Sequence, residues 1–284
     1  VTINPMARII GIINAKGGVG KTTTTVNLSE ALRLASSEIQ KILIADFDPQ
    51  GNATQALGVE HETVQISISD LIRDRSVSEQ AAIYKTSSVD LIPATKLLAH
   101  VQLEMIGMTN GELRLAQRLR KLKPFYSVII IDAPPTLGTL MNSVLNAADY
   151  LLVPVESGVF SLRGIQSLLG EIEEIKAGTN PNLKILGFLL TLADSTNISG
   201  EVLENLKANF GDQVLKTHIR RSVKLKEAPA FGKTIFQHAP TSTGAEDYRK
   251  LANEILERLR RNVLEEANPG TPKEGSATQG VAHA

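Results

Sequence analysis

The chain has 284 residues, 42% of them hydrophobic and 21% charged, with 30 Lys and Arg against 30 Asp and Glu. This is the balance of a folded globular protein, neither fibrous nor disordered, and its zero net charge leaves any contact with nucleic acid or an acidic membrane to a local patch. The absence of cysteine excludes disulfide scaffolds, thiolate nucleophiles, zinc ribbons and iron–sulfur clusters.

Residues 1–5 carry no pattern, and Val1 ahead of Met6 suggests an alternative start or a start at Met6. The first element, Arg8–Asn14, is short and β-branched with contiguous apolar positions, which predicts a strand buried on both faces. A glycine-rich loop follows, then helical spacing over Thr22–Leu34. Further strands are predicted over Lys41–Phe47 and Val89–Ile92, a helix over Glu112–Leu122, and strands over Ser127–Asp132 and Tyr150–Val155. A helix over Leu162–Lys176, a strand over Leu183–Leu190, a helix over Ser199–Phe210, a strand over Gln213–Thr217 and a helix over Thr243–Arg261 complete the series. From Val263 the composition turns to Pro, Gly, Ser, Ala and Gln without periodicity, as in a disordered tail. The expected organisation is one domain over residues 8–262 between a flexible N-terminus, 1–7, and a tail, 263–284.

Alternation of strands and helices predicts an α/β fold, a doubly wound and mostly parallel sheet with helices on both faces. An antiparallel domain would need Asn-Gly hairpins, and the one such pair, Asn110-Gly111, instead precedes helical sequence. The five histidines, His61, His100, His218, His238 and His283, show no metal-ligand spacing. No apolar run approaches the roughly 18 residues of a bilayer span, and the N-terminus lacks the basic-then-apolar order of a signal peptide, so the expected location is cytoplasmic. In doubly wound sheets ligands bind beyond the carboxyl ends of the strands, and the residues there are the ones to read for chemistry.

After the first strand comes Ala15-Lys16-Gly17-Gly18-Val19-Gly20-Lys21-Thr22-Thr23, which opens a helix. Glycines allow successive backbone N–H groups to turn toward a phosphate, and the helix N-terminus adds partial positive charge. Lys21 would then reach the β- and γ-phosphates and the Thr22 hydroxyl would ligate Mg²⁺. The strict G-x-x-x-x-G-K-[ST] pattern is not met, because Ala15 stands in place of the first glycine. The second strand ends Asp46-Phe47-Asp48-Pro49-Gln50-Gly51-Asn52, and two carboxylates two residues apart share a face, so both can address one site. The apolar strand Ser127–Asp132 ends in a third acid, followed by Pro134-Pro135; alone, such an Asp often only caps a turn.

Lys16 turns the loop into K-G-G-x-G-K-T-T, which resembles the deviant Walker A loop of the ParA/MinD family of P-loop ATPases. The resemblance implies ATP and Mg²⁺ as cofactors, with Lys16, Gly17, Gly18, Val19, Gly20, Lys21, Thr22 and Thr23 binding the nucleotide. It implies that Lys16 contacts the phosphates held by a facing subunit, so that ATP joins a homodimer. The D-x-D-P-Q-G-N segment matches residue for residue, implying that Asp46 helps hold Mg²⁺ through water and that Asp48 positions the attacking water. Asp132 then resembles the Walker B acid near the metal. Ser222-Val223-Lys224-Leu225-Lys226-Glu227-Ala228-Pro229, Gly232-Lys233, Asn142–Asp149 and Pro154-Val155-Glu156 extend the likeness over residues 8–261, toward chromosomal ParA (Soj-like) members.

For that group the implied function is an ATP-dependent sandwich dimer that binds DNA nonspecifically, is stimulated by a ParB-type centromere-binding protein and drives chromosome or plasmid segregation, slowly without its activator and in part on the nucleoid. Alternatives are a relative that positions a protein cargo and a MinD-like membrane ATPase. The latter carries a C-terminal amphipathic helix, whereas Gly, Pro and Ala follow here, so no membrane contact is expected. Three segments depart from the family. Ile219-Arg220-Arg221-Ser222 replaces I-P-R-N at the adenine pocket, Ser195 precedes Thr196-Asn197 where several relatives have arginine, and Thr241 and Thr243 replace arginines. Arg220, Arg221, Lys224, Lys226, Lys233, Arg249 and Lys250 are candidates for a replacement DNA patch, or simply a solvated face.

Overall fold

The computed structural model describes residues 8–39, 41–157, 162–194 and 197–267. In chain order its elements are β1 Arg8–Ile12, α1 Lys21–Ala35, β2 Ile42–Asp46, α2 Asn52–Ala56, α3 Ile68–Arg73, β3 Tyr84–Lys85, β4 Asp90–Ile92, α4 Leu97–Gly107, α5 Arg114–Leu122, β5 Val128–Asp132, α6 Thr139–Ala147, β6 Tyr150–Glu156, α7 Leu162–Ala177, β7 Lys184–Thr191, α8 Asn197–Phe210, α9 Val223–Glu227, α10 Ile235–His238 and α11 Thr243–Ala267. Their strands form one seven-stranded sheet in the order β3-β4-β2-β5-β1-β6-β7. All neighbours are parallel except β3 and β4, so the doubly wound, mostly parallel architecture expected from the sequence is present.

Contiguous apolar strands are buried on both faces because each face carries its own helical layer. Side chains alternate along a strand. Ile9, Leu43, Ala45, Ile129 and Ile131 join the core built with α3–α8. Ile10, Ile12, Ile42, Ile44 and Ile130 pack against α1, α2 and α9–α11. The chain leaves β1 toward β2 on one side, and β6 lies on the other, so the carboxyl end of β1 stands where the strand order reverses. That is the place where an open α/β sheet leaves a crevice for a ligand.

Two expectations need correction. Gln213–Thr217 is not a strand: it touches the sheet through one isolated bridge, Val214 to Phe188. Leu215 and Ile219 donate to Phe188 and Leu190 on β7, but the Lys216 and Thr217 N–H groups between them are taken, at 2.9 Å each, by the Glu254 carboxylate. A side chain of α11 thus takes the Thr217 N–H, the donor a ladder would have used between Leu215 and Ile219. The last helix also runs through Ala267, five residues beyond the expected boundary at 262. Glu266 is its anchor, accepting from Arg8 and from Tyr150 and Lys184, all at 3.0 Å. Residues 1–7 and 268–284, assigned from sequence as termini, lie outside the described residues.

Candidate functional site

The loop between β1 and α1 closes on glycines that no other residue type would replace without strain. Gly18 and Gly20 have φ of 77° and 84°, the left-handed region that favours glycine, and Gly20 is the N-cap of α1. Nothing lies within 4 Å of where a Gly18 side chain would begin, so that side of the loop is open. Lys21 starts α1 and curls back over the loop, its Nζ donating at 3.0 Å to the carbonyls of Asn14 and Lys16. It is only 7% exposed and has no carboxylate within ion-pair distance among the described residues. Burial pulls its pKa down, against the opposing fields of Asp132 and Asp48. A buried ammonium held by neutral oxygens is a place for an anion.

The acids face it from β2 and β5. Asp46 and Asp132 are register partners on these adjacent strands and both are fully buried. Asp132 accepts from the hydroxyls of Thr22, at 2.7 Å, and Thr25, at 3.0 Å. One Oδ of Asp46 accepts from both the N–H and the hydroxyl of Thr54, at 2.8 and 2.7 Å, and the other from the Asp48 N–H at 3.2 Å. Asp46 therefore holds the first turn of α2 and the Asp48 turn in place, an arrangement favoured by the positive end of a helix. Burial raises the pKa of both acids; the Asp46 field adds to the rise at Asp132. Asp48 is raised as well, chiefly by burial, with a Gln50 N–H bond and Lys21 opposing. Crowded acids of this kind call for a cation.

Among the described residues no group of three or more His, Asp or Glu side chains is arranged to hold a metal by itself. Mg²⁺ commonly takes one or two protein oxygens and fills its other positions with water and phosphate. Thr22 and Asp132, and Asp46 beside them, are the groups placed to do so. An anion wanted by Lys21 and the open glycine loop, together with a cation wanted by the acids, is the demand a Mg²⁺-nucleotide meets.

Lys16 lies apart from this buried floor. Its backbone is fixed by Asn14, whose Oδ1 accepts from the Lys16 N–H at 2.9 Å while Nδ2 donates to the Pro154 carbonyl at 2.7 Å. Its side chain is half exposed and pairs at 2.7 Å with Glu156, at the end of β6. Beside the loop a cleft of ≈ 280 Å³ opens between Thr23, Thr191, Leu192, Arg220, Pro229 and Tyr248. Thr191 steadies it by donating to Val19 O at 2.8 Å. Arg220 is held by Asp247, its N–H and guanidinium both engaged, and by Glu246 at 2.9 Å. The departure from I-P-R-N thus puts an anchored guanidinium on the wall of this cleft.

Of the seven candidate DNA cations, most are already engaged. Arg220 serves α11, Lys224 pairs with Glu227 and Lys250 with Glu246. Arg249 donates to Pro240 O and lies 5.2 Å from the Phe236 ring centroid. Arg221, Lys226 and Lys233 are exposed without an ion pair among the described residues. Thr241 and Thr243 are exposed at the start of α11, while Ser195 and Thr196 lie outside the described residues.

Sequence reasoning brought Lys21, Thr22, Asp46, Asp48 and Asp132 to one edge, and the fold does the same. It missed Asn14, Thr25, Thr54 and Thr191. Thr25 had a signal, one helical turn beyond Thr22 on the same face. Asn14 and Thr191 had none, since their partners are set by strand order.

Residues 7–185 match the family model described as an AAA domain. The chain is 41% identical to the sporulation initiation inhibitor protein Soj of Bacillus subtilis over 252 residues, which is 88% of this chain and 98% of that protein. It is 40% identical to the chromosome partitioning protein ParA of Myxococcus xanthus over 89% of both chains. Among solved structures, cobyrinic acid a,c-diamide synthase from Mycobacterium smegmatis with bound ADP and magnesium is similar at a TM-score of 0.79 and 32% identity, over 90% of this chain and 97% of that one.

Proposed function

The chain belongs to the Soj/ParA family of chromosome-partitioning ATPases, and from that premise we propose that it is an ATP- and Mg²⁺-dependent dimerisation switch that carries replicated DNA apart. The observation that carries the proposal is the buried Lys21, bonded among the described residues only to carbonyls, beside the crowded acids Asp46, Asp48 and Asp132. In this reading the backbone of residues 16–23 and Lys21 hold the phosphates, while Thr22 and Asp132 hold Mg²⁺ with Asp46 assisting through water. Bound Mg²⁺ supplies charge to the phosphates during transfer. Asp48 orients the attacking water, and hydrolysis without an activator is slow.

Lys16 reaches the nucleotide of a facing subunit. In the free protomer it rests on Glu156, an exposed pair worth at most about 1 kcal/mol and therefore readily exchanged for phosphate. The contact is made with ATP and lost after hydrolysis, which is the differential interaction that ties oligomeric state to nucleotide. The dimer holds duplex DNA nonspecifically, with Arg221, Lys226 and Lys233 as available cations, and a ParB-type partner triggers its release. The protein works in the cytoplasm and on the nucleoid; among the described residues no helix is long and apolar enough to cross a membrane. The synthase that shares the fold does not lend its substrate, because fold alone does not transfer function.

Filter binding to nonspecific duplex DNA tests the proposal, with ATP and with ADP at two salt concentrations. ATP-dependent binding that weakens steeply with salt supports it. Dimerisation with ATP but no retention of DNA would move the cargo from DNA to protein.

A further inference from the structure

Asp48 sits in a turn whose inner face is well held. The Gln50 N–H donates to its carboxylate and the Gly51 N–H to its carbonyl, both at 2.9 Å. The weak point of the turn is Gly51, which has a φ of 62°, lacks a side chain and caps α2. Glycine there lets the turn close, and it equally lets the turn open. The outer face is held by a residue ten positions on. His61 lays its ring against Gly51 so closely that a methyl group at Gly51 would run into it. Its Nε2 is 3.2 Å from the Gly51 carbonyl oxygen, which also accepts from Gln55 N at 3.1 Å in the first bond of α2.

We propose that His61 is a positioning residue for hydrolysis, clamping the Gly51 peptide so that Asp48 is held where it must orient water. The inference rests on the role given to Asp48 above. The carbonyl can only accept, so Nε2 is the donor, and both the neutral Nε2–H tautomer and the imidazolium satisfy the contact. The His61 ring bears on Gly51, in the turn that carries Asp48, and its removal is therefore expected to act on the chemical step and not on phosphate binding. Misplacement of a catalytic group by about 1 Å costs up to roughly 100-fold in rate, and loss of one of two bonds to Gly51 O is a smaller disturbance, about tenfold.

The test is turnover at saturating ATP and Mg²⁺, alongside ATP affinity, for the full chain and for His61→Ala, His61→Gln and Asp48→Ala. Glutamine carries an amide N–H about as far from the backbone as Nε2. The expected result is an approximately tenfold loss of turnover in His61→Ala with ATP affinity within about twofold of the parent, and recovery of at least half the turnover in His61→Gln. Unchanged turnover in His61→Ala, an equal loss of ATP affinity, or a glutamine variant as slow as the alanine one would overturn the inference. If Asp48→Ala itself still hydrolyses ATP normally, the failure lies in the role assigned to Asp48 and this inference falls with it. An inactive Asp48→Ala beside a normal His61→Ala defeats the clamp alone.

Discussion

On the floor of the site, at the carboxyl ends of the strands, Lys21, Asp46 and Asp132 are buried and hydrogen-bonded to backbone or hydroxyl groups. At its rim, Lys16 and Arg220 stand partly in water and are met by carboxylates from other elements, and the exposed Lys224 is met by Glu227 of its own helix. The floor is pre-organised: its geometry exists before any ligand arrives, and it holds unbalanced charge that a ligand relieves. The rim is exchangeable, because an exposed ion pair contributes little and can be traded for a phosphate or a partner. The two lysines of the loop thus stand in different settings, Lys21 fixed by burial and Lys16 half exposed in an ion pair with Glu156. That division is what a switch requires, with binding chemistry that stays constant and an interface that responds to the nucleotide.

Substitutions on the floor should have the largest effects. Lys21→Ala should lower ATP hydrolysis at least about 100-fold, the scale of losing one positioned charge donor at a reacting centre, with ATP affinity falling in parallel by calorimetry. A variant that binds and hydrolyses ATP normally would break the distinction between the two lysines. Next comes Asp48→Ala, expected to cost about 100-fold or more in steady-state turnover while keeping ATP bound. Comparable losses in turnover and affinity would instead mark Asp48 as a binding group.

The raised acids give a pH signature of the floor. A carboxyl whose pKa is higher folded than unfolded binds its proton more tightly in the native state, so stability falls as pH rises above the ordinary carboxylate range, about 4. The nucleotide-free protein should therefore lose thermal stability from mildly acidic toward neutral pH, because of Asp132 and Asp46. Asp132→Asn should flatten that slope in a thermal-shift series without Mg²⁺. An unchanged slope would mean that the two acids do not share the floor with their like charges in repulsion.

Smaller effects belong to the rim. Lys226→Ala and Lys233→Ala should each reduce the salt slope of DNA binding by about 1 if the side chain meets a phosphate, with ATP affinity retained; an unchanged slope removes that residue from the DNA surface. Smallest is Glu156→Gln, expected to change folding stability by less than about 1 kcal/mol in chemical denaturation. A larger loss would show that the Lys16 pair is structural and not a resting contact.

The contrast between floor and rim also explains what could be read in advance. Lys21, Asp46, Asp48 and Asp132 were legible because position in sequence sets position in space at a strand end, and a parallel sheet aligns those ends. Thr54 and Asn14 were not, since a hydrogen bond from Thr54 to Asp46, or from Asn14 to Pro154, depends on neighbours that only the strand order supplies. The engagement of Arg220 by Asp247 and of Lys250 by Glu246 was equally hidden. Seven cations in a sequence look like a patch until the carboxylates of α9 and α11 pair with three of them. Gln213–Thr217 failed for the same reason, with Glu254 taking the Thr217 N–H that the apolar pattern had promised to a strand.

The most direct test of the switch is the mass in solution of Asp48→Ala, by light scattering behind size exclusion, with ATP and Mg²⁺ and then with ADP and Mg²⁺. A dimer with ATP and a monomer with ADP, together with a monomer in both for Asp48→Ala carrying Lys16→Ala, is the result expected if Lys16 joins two protomers through the nucleotide. A monomer with ATP in the single variant, or a dimer that persists without Lys16, would contradict it.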